Sequence, residues 1–334
     1  MSGRNLVIDA IEFNGPERVP LWFTELNESD VLEVQANFVG KYTRSWDPYH
    51  GISGVDEWGC YWSVPSVNEW RTMGMPTGHP LGDWKNLDSY EFPKLKIVLK
   101  SSNENYVLKD KYLVGSVPFT LFERMHFLRG FKNLLLDFYR YPENVSILAD
   151  HVLEVQESLV KQWGALDVDG IFFTDDWGSQ QGLFVSPCIF RQFFKPRYKV
   201  LFDIVHQYGM HAILHSDGKI HSIIEDFIDV GLDVINIPQP TSLFTLHFLG
   251  ENFGGKICFL TCVDNQTTIY GSNEKIRCEA KKIVDYLGRF NGGLIAGWID
   301  PCDTIALKVP VENIRVACEA FKEFGVYQKN VEQV

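Results

Sequence analysis

The sequence predicts a closed parallel barrel, (β/α)8, and three observations carry that reading. From residue 111 onward, short apolar runs rich in Val, Ile and Phe alternate with longer stretches of helical period, the pattern of a parallel sheet. Nearly every run ends on polar residues: Thr24-Glu25, Asp175-Asp176, His215-Ser216-Asp217, Asn236, Thr261-Cys262-Val263-Asp264 and Asp300-Pro301-Cys302. A ring of such termini belongs at the C-terminal face of a barrel, where strand ends carry the chemistry. The open, doubly wound alternative is marked by a G-x-G-x-x-G turn, and neither that turn nor a P-loop occurs.

The first strand is expected at Val19–Phe23. The later runs are Tyr112–Val117, Val168–Thr174, His211–His215, Val234–Ile237, Ile257–Leu260 and Leu294–Trp298. Helices are expected over about 124–139, 143–164, 187–208, 220–230, 273–289 and 311–324, with Gly164, Gly209 and Gly231 marking helix ends. That makes seven strands, and the eighth is expected in the less regular region. Residues 30–110 break the rhythm, with Trp46, Trp58, Trp62, Trp70 and Trp84 among many Gly and Pro. We read them as an insertion after the first strand that caps the barrel mouth. No linker separates two units, so residues 1–334 form one domain.

Composition narrows the function. The chain has 334 residues, 45% hydrophobic and 22% charged, enough for one large buried core. A net charge of -12 without a Lys/Arg cluster argues against a nucleic-acid partner. No apolar run approaches the roughly 20 residues of a membrane span, and Met1–Leu6 lacks an apolar signal core, so a cytoplasmic location is expected. Seven scattered cysteines read as reduced thiols, most of them packed as small hydrophobes. Aromatic residues reach 14%, which suits a bulky core and is compatible with an aromatic-walled pocket.

Several segments together resemble the uroporphyrinogen decarboxylase superfamily, including its zinc- and corrinoid-dependent methyltransferase members. They are Glu17-Arg18-Val19-Pro20, Gly115-Ser116-Val117-Pro118-Phe119-Thr120, Asp175-Asp176-Trp177-Gly178 with Ser186-Pro187, and His215-Ser216-Asp217-Gly218 with Gly231-Leu232-Asp233-Val234-Ile235-Asn236. Val309-Pro310-Val311-Glu312-Asn313-Ile314 completes the set, in the family's order and across nearly the whole chain. The resemblance implies a (β/α)8 barrel. True decarboxylases carry arginines after the first strand to hold substrate carboxylates. Here no arginine lies between Arg18 and Arg44, and Glu25 and Glu28 stand in their place, so a polyanionic porphyrinogen is repelled. The thiol-alkylating methyltransferases of the superfamily bind zinc through His-x-Cys and a distant Cys. The match falls on His215, with Asp217 in place of the first Cys and Cys302 or Cys262 as the distant partner. His215, Asp217, Cys262 and Cys302 are therefore the candidate zinc ligands. Losing a thiolate makes the metal harder and suits activation of an ether oxygen.

His215 stands at a strand end and is the central functional candidate, whereas His211, at the opposite end, is read as structural. Asp175 and Asp176 point to opposite sides, so only one faces the pocket and the other caps a segment or pairs with a basic group. Asp175 is placed with His215, Asp217 and Glu25 among the catalytic candidates, Glu25 being an acid that apolar walls from Trp22 and Phe23 would hold protonated. Trp22, Asp176, Asn236, Gln239 and Trp298 are the candidates for binding substrate, and Glu123 and Arg124 are expected to form an ion pair. The resemblance and the missing arginines lead to one expectation. It is a methyltransferase that moves a methyl group from a methoxylated substrate, an aryl methyl ether, to the Co(I) corrinoid (cobalamin) of a separate protein. No Asp-x-His-x-x-Gly segment is present to hold the corrinoid here. The competing expectations are methyl transfer from the corrinoid to a thiol or folate, and uroporphyrinogen decarboxylation. A homodimer is compatible with the sequence.

Overall fold

Eight parallel strands surround a filled interior, and their alternation decides which side chains reach the mouth. The computed structural model describes residues 1–65, 73–100, 110–299, 304 and 307–327. The strands are β1 (Leu21–Phe23), β2 (Val31–Glu33), β3 (Tyr112–Val117), β4 (Gly170–Thr174), β5 (His211–His215), β6 (Val234–Asn236), β7 (Cys258–Thr261) and β8 (Leu294–Gly297). Their order in the sheet is β1-β8-β7-β6-β5-β4-β3-β2, with the antiparallel pair Glu28–Ser29 on the outer edge of β1. The seam between β1 and β2 is held by Asp30. Its N–H donates to the Leu21 carbonyl at 2.7 Å, its carboxylate accepts from the Leu21 N–H at 2.8 Å, and Arg18 grips both carboxylate oxygens.

Inside the barrel, Trp22, Val31, Tyr112, Val114, Phe172, Ile213, Val234, Leu260 and Ile295 pack as one cluster. The N-terminal helix Gly3–Ile11 closes the bottom by adding Val7 and Ile11 to it. The other face of each strand packs under the outer helices. The expected helix over 124–139 breaks in two at Gly130, whose φ of 90° no helical residue adopts. Helix Leu246–Phe253 also lies in the structure, where the pattern had indicated none.

The eighth strand is β2, inside the stretch read as an insertion. The insertion therefore follows the second parallel strand, not the first. It folds as two small antiparallel sheets, one pairing Ala36–Val39 with Lys96–Leu99 and the other built from Gly54–Val55, Tyr61–Ser63 and Met75–Gly78. Among the described residues no helix is long and apolar enough to cross a membrane. The six described cysteines are free, and Cys60, Cys258, Cys262 and Cys318 are buried.

Candidate active site

The strand ends enclose a cavity of about 780 Å³ at the C-terminal face. Parity selects its lining. On β4, Phe172 faces the interior, so Thr174 and Asp176 follow on the same side, while Phe173 and Asp175 turn outward. On β5 the same rule takes Ile213 inward and brings His215 and then Asp217 to the cavity. Trp22 enters from β1, and Trp298 follows β8 with a φ of 49°, a left-handed backbone held at the cavity wall. Phe119, with a φ of 55°, also lines the wall. Val34, Ala36, Phe38 and Tyr49 of the insertion complete the lining.

The centre is His215. Its Nδ1 lies 2.6 Å from Oδ1 of Asn236, and the Asn236 amide in turn donates to the Leu260 carbonyl at 2.8 Å. An acceptor oxygen on Nδ1 requires a proton there, which directs Nε2 toward Asp176, 3.7 Å away. Phe172 and Trp298 flank the ring, with centroids at 6.4 and 5.1 Å. Asp217 donates its backbone N–H to the Asp176 carboxylate at 2.8 Å and takes a hydrogen bond from Gln239 at 2.9 Å. Burial, followed by the Asp217 charge, pushes Asp176 up to about 6. Gly218 is required next to this group. Its φ is 87°, and a Cβ there would meet the Gly178 carbonyl carbon at 2.2 Å.

One imidazole nitrogen and two carboxylate oxygens, from Asp176, His215 and Asp217, all lie within 4.8 Å of one another. That nitrogen-and-oxygen set fits a divalent cation such as zinc. A cation there would neutralise two neighbouring carboxylates, and Asn236 and Gln239 hold His215 and Asp217 in orientation. The expected ligand set is corrected accordingly. Cys262 is buried away from the cavity with its thiol pushed far up by burial, so it supplies no thiolate. Cys302 lies outside the described residues.

Other assignments also change. Asp175 is fully buried and faces the outer layer. Its oxygens accept the N–H groups of Leu121, Phe122 and Glu123 at 2.7–3.0 Å and the Tyr198 hydroxyl at 2.5 Å. It caps the helix Phe122–Arg129 across the sheet and is not a catalytic acid. Asn236 and Gln239 are buried behind His215 and Asp217 and touch no cavity surface, so they position those groups and do not bind substrate. Glu25 reaches the cavity but sits exposed on its rim, without the apolar shielding expected of it.

Glu123 is the functional candidate that sequence reasoning missed. It lines the cavity, and burial with the nearby charges of Asp176 and Asp175 pushes its carboxyl well above the usual range. The expected Glu123–Arg124 pair does not form: Arg124 binds Asp56 of the insertion at 2.7 Å. The available signal was the helix start after Phe119-Thr120, which places the first acidic residue at the mouth.

Fold and rim together define a barrel whose C-terminal face carries an acidic, imidazole-centred cavity, the layout of barrel enzymes. Residues 85–324 match the uroporphyrinogen decarboxylase (URO-D) family, and the chain belongs to it. Among solved structures it is similar to a methyltransferase from Methanosarcina mazei, with a TM-score of 0.70 and 16% identity over 97% of this chain and 99% of that one. A protein from Listeria monocytogenes described as a vitamin-B12 independent methionine synthase matches at a TM-score of 0.38 and 10% identity, over 68% and 71% of the two chains. These likenesses concern the fold. No curated protein matches this chain.

Proposed function

We propose that this protein is the methyl-abstracting component of a corrinoid-dependent O-demethylase. It takes a methyl group from a methoxylated aromatic substrate and delivers it to the Co(I) corrinoid of a partner protein. One observation carries the reading: an imidazole fixed at Nδ1 by Asn236 stands with two carboxylates in an aromatic-walled cavity of about 780 Å³, large enough for a substituted benzene. The likeness of the barrel to a methyltransferase supports it. Decarboxylation of a polyanion is disfavoured, because the described lining contains five carboxylates and no Lys or Arg.

The chemistry needed is relief of charge on the departing oxygen. The methyl carbon–oxygen bond breaks with its electron pair going to oxygen, and the cobalt electron pair forms the new bond to carbon. A phenoxide has a conjugate pKa of about 10, so it leaves faster when that charge is neutralised. Asp176, His215 and Asp217 would hold a divalent cation, which would supply Lewis acidity to the oxygen. Trp22, Phe172 and Trp298 hold the ring and exclude water, and the open mouth admits the corrinoid carrier.

The test combines the purified protein, a Co(I) corrinoid protein and a panel of methoxyarenes, with methylcobalt read by its absorbance and the phenol by chromatography. Multiple turnovers that vanish in a folded His215→Ala variant support the reading. Methyl transfer only from methylcorrinoid to a thiol or folate would replace it with the reverse activity. Metal analysis of wild type and of Asp217→Ala decides whether a cation or a side-chain proton neutralises the oxygen.

A further inference from the structure

We propose that the methoxyarene taken by this cavity bears an uncharged apolar substituent, a short alkyl chain or a second ring, which lodges in an apolar annex on the insertion side of the mouth. The inference rests on the O-demethylase reading and names the substrate class within it.

Size is the first observation. At about 780 Å³ the cavity lies in the range that encloses drug-sized ligands, ~300–1,000 Å³, and one methoxylated ring leaves much of it unfilled. The polar chemistry is confined to one side. His215 ends β5, Asp176 and Asp217 follow β4 and β5, and Phe172 and Trp298 flank the imidazole. Toward β3, β2 and the insertion, the lining is instead Val34, Ala36, Phe38, Met73 and Phe119.

These wall residues are held in place. Val34 continues β2 by donating its N–H to the Val114 carbonyl at 2.8 Å. From there Val34, Ala36 and Phe38 alternate as the buried or half-buried face, with exposed Gln35 and Asn37 between them. Phe38 and Met73 also pack against the main core, and the Trp46 indole donates to the Met73 carbonyl at 3.1 Å. Phe119 joins this wall to the reaction centre. Its left-handed backbone is strained for a phenylalanine, and the Thr174 hydroxyl holds it by accepting the Phe119 N–H at 2.9 Å. The Phe119 ring stands edge-on to Phe127 at 5.0 Å and tilted to Trp62 at 5.8 Å. Thr174 lies two residues before Asp176 on the same side of β4, so the apolar wall starts beside that carboxylate and runs away from it. A ring seated between Phe172 and Trp298 with its ether oxygen toward His215 thus turns its far side to apolar surface. An apolar substituent there displaces water at a gain.

Three neutral probes differ only in the apolar group they carry: 2-methoxy-4-methylphenol, 2-methoxy-4-propylphenol and 4-benzyl-2-methoxyphenol. Their affinities for the as-purified protein are measured by calorimetry, without corrinoid. The propyl probe is expected to bind roughly tenfold tighter than the methyl probe, the gain from two buried methylenes, and the benzyl probe at least as tightly as the propyl. Ala36→Phe, which fills the annex, and Phe38→Ala, which removes part of its wall, should each take away most of that gain. Melting curves establish that each variant is folded, and Ala36→Phe alone decides the matter if Phe38→Ala is not. Equal affinities across the series, or a gain that the folded variants leave intact, overturns the inference. So does a flat series in which Ala36→Phe abolishes methyl transfer from the methyl probe, an outcome that gives the annex to the corrinoid carrier. Turnover separates the two claims. If extension tightens binding but no probe is demethylated by Co(I) corrinoid, the reaction falls and the annex stands. If the methyl probe is demethylated and extension brings no tighter binding, the annex falls and the reaction stands.

Discussion

Asn236 is the residue on which the orientation of His215 depends, because it joins Nδ1 to the Leu260 carbonyl. Removing it in Asn236→Ala frees the ring and leaves a buried carbonyl without its donor. The expected result is a ten- to hundredfold loss of turnover with destabilisation of about 1–3 kcal/mol, read by steady-state rates and urea melts. Unchanged turnover would mean that the tautomer of His215 is set elsewhere. Asp175→Asn probes the opposite face of β4. An amide offers one acceptor oxygen where the carboxylate serves three backbone N–H groups and the Tyr198 hydroxyl. We expect a loss of about 3 kcal/mol or more, with turnover per folded molecule falling only as Glu123 shifts with its helix. Asp175 and its neighbour Asp176 also mark how far the sequence was legible. The run Val168–Thr174 is buried on both sides, so hydrophobicity does not say which parity faces inward. His215 and Asp217 were legible because their strand ends on the polar pair itself. Asp176 was assigned a lesser role than the position it occupies.

At the scale of elements, the strands hold their relations through contacts that a sequence shows only in part. Gly115 in β3 lies under the Trp163 ring, and a Cβ would come within 2.5 Å of it. Trp163 lines the cavity and donates to the Ser116 carbonyl at 2.9 Å. Gly115→Ala should therefore cost about 1–3 kcal/mol and weaken aromatic ligands together with the fold, which calorimetry and melting would both register. Asp233 ties β5 to β6 by accepting the Ala212 N–H at 2.7 Å and bonding His206 at 2.8 Å. That hydrogen bond, working against partial burial, raises His206 above its ordinary 6.5. A raised folded value stabilises the protein fully below the unfolded pKa and fades as pH rises through the folded value. The melting advantage of wild type over His206→Gln should thus shrink between about pH 6 and pH 8; an advantage that grows over that range would contradict it. Seven of eight barrel strands were visible because each is a run of apolar residues. The eighth, β2, is three residues long and is identified by pairing with Tyr112–Val114, a relation across some 80 positions that no local pattern carries.

The whole molecule depends on how the insertion is fastened, because Val34, Ala36, Phe38 and Tyr49 wall the cavity that the barrel opens. One fastening is a buried ion pair. Asp56 accepts the N–H groups of Trp58 and Cys60, the Trp62 indole and, at 2.7 Å, the guanidinium of Arg124 from the barrel helix. Arg124 also lies over Trp58, Phe119 and Phe127 at 4.8–5.5 Å. The partners stand 68 residues apart, and the neighbouring Glu123 offered the nearer and mistaken match in the sequence. Breaking a buried pair strands a charge and costs about 3–5 kcal/mol, whereas replacing both members costs less. Arg124→Met should accordingly release the insertion before the barrel, since local opening follows the weakest contacts. Limited proteolysis would then cut within the insertion at low protease while barrel fragments persist, and ligand affinity would fall with the lost walls. Asp56→Asn combined with Arg124→Met should recover part of the protection, because the amide still accepts from the Trp58 and Cys60 backbone. Equal resistance of Arg124→Met and wild type would show that the stacked Trp46–Trp62 pair, with ring centroids at 4.2 Å, and the apolar contacts around it hold the insertion without the charge.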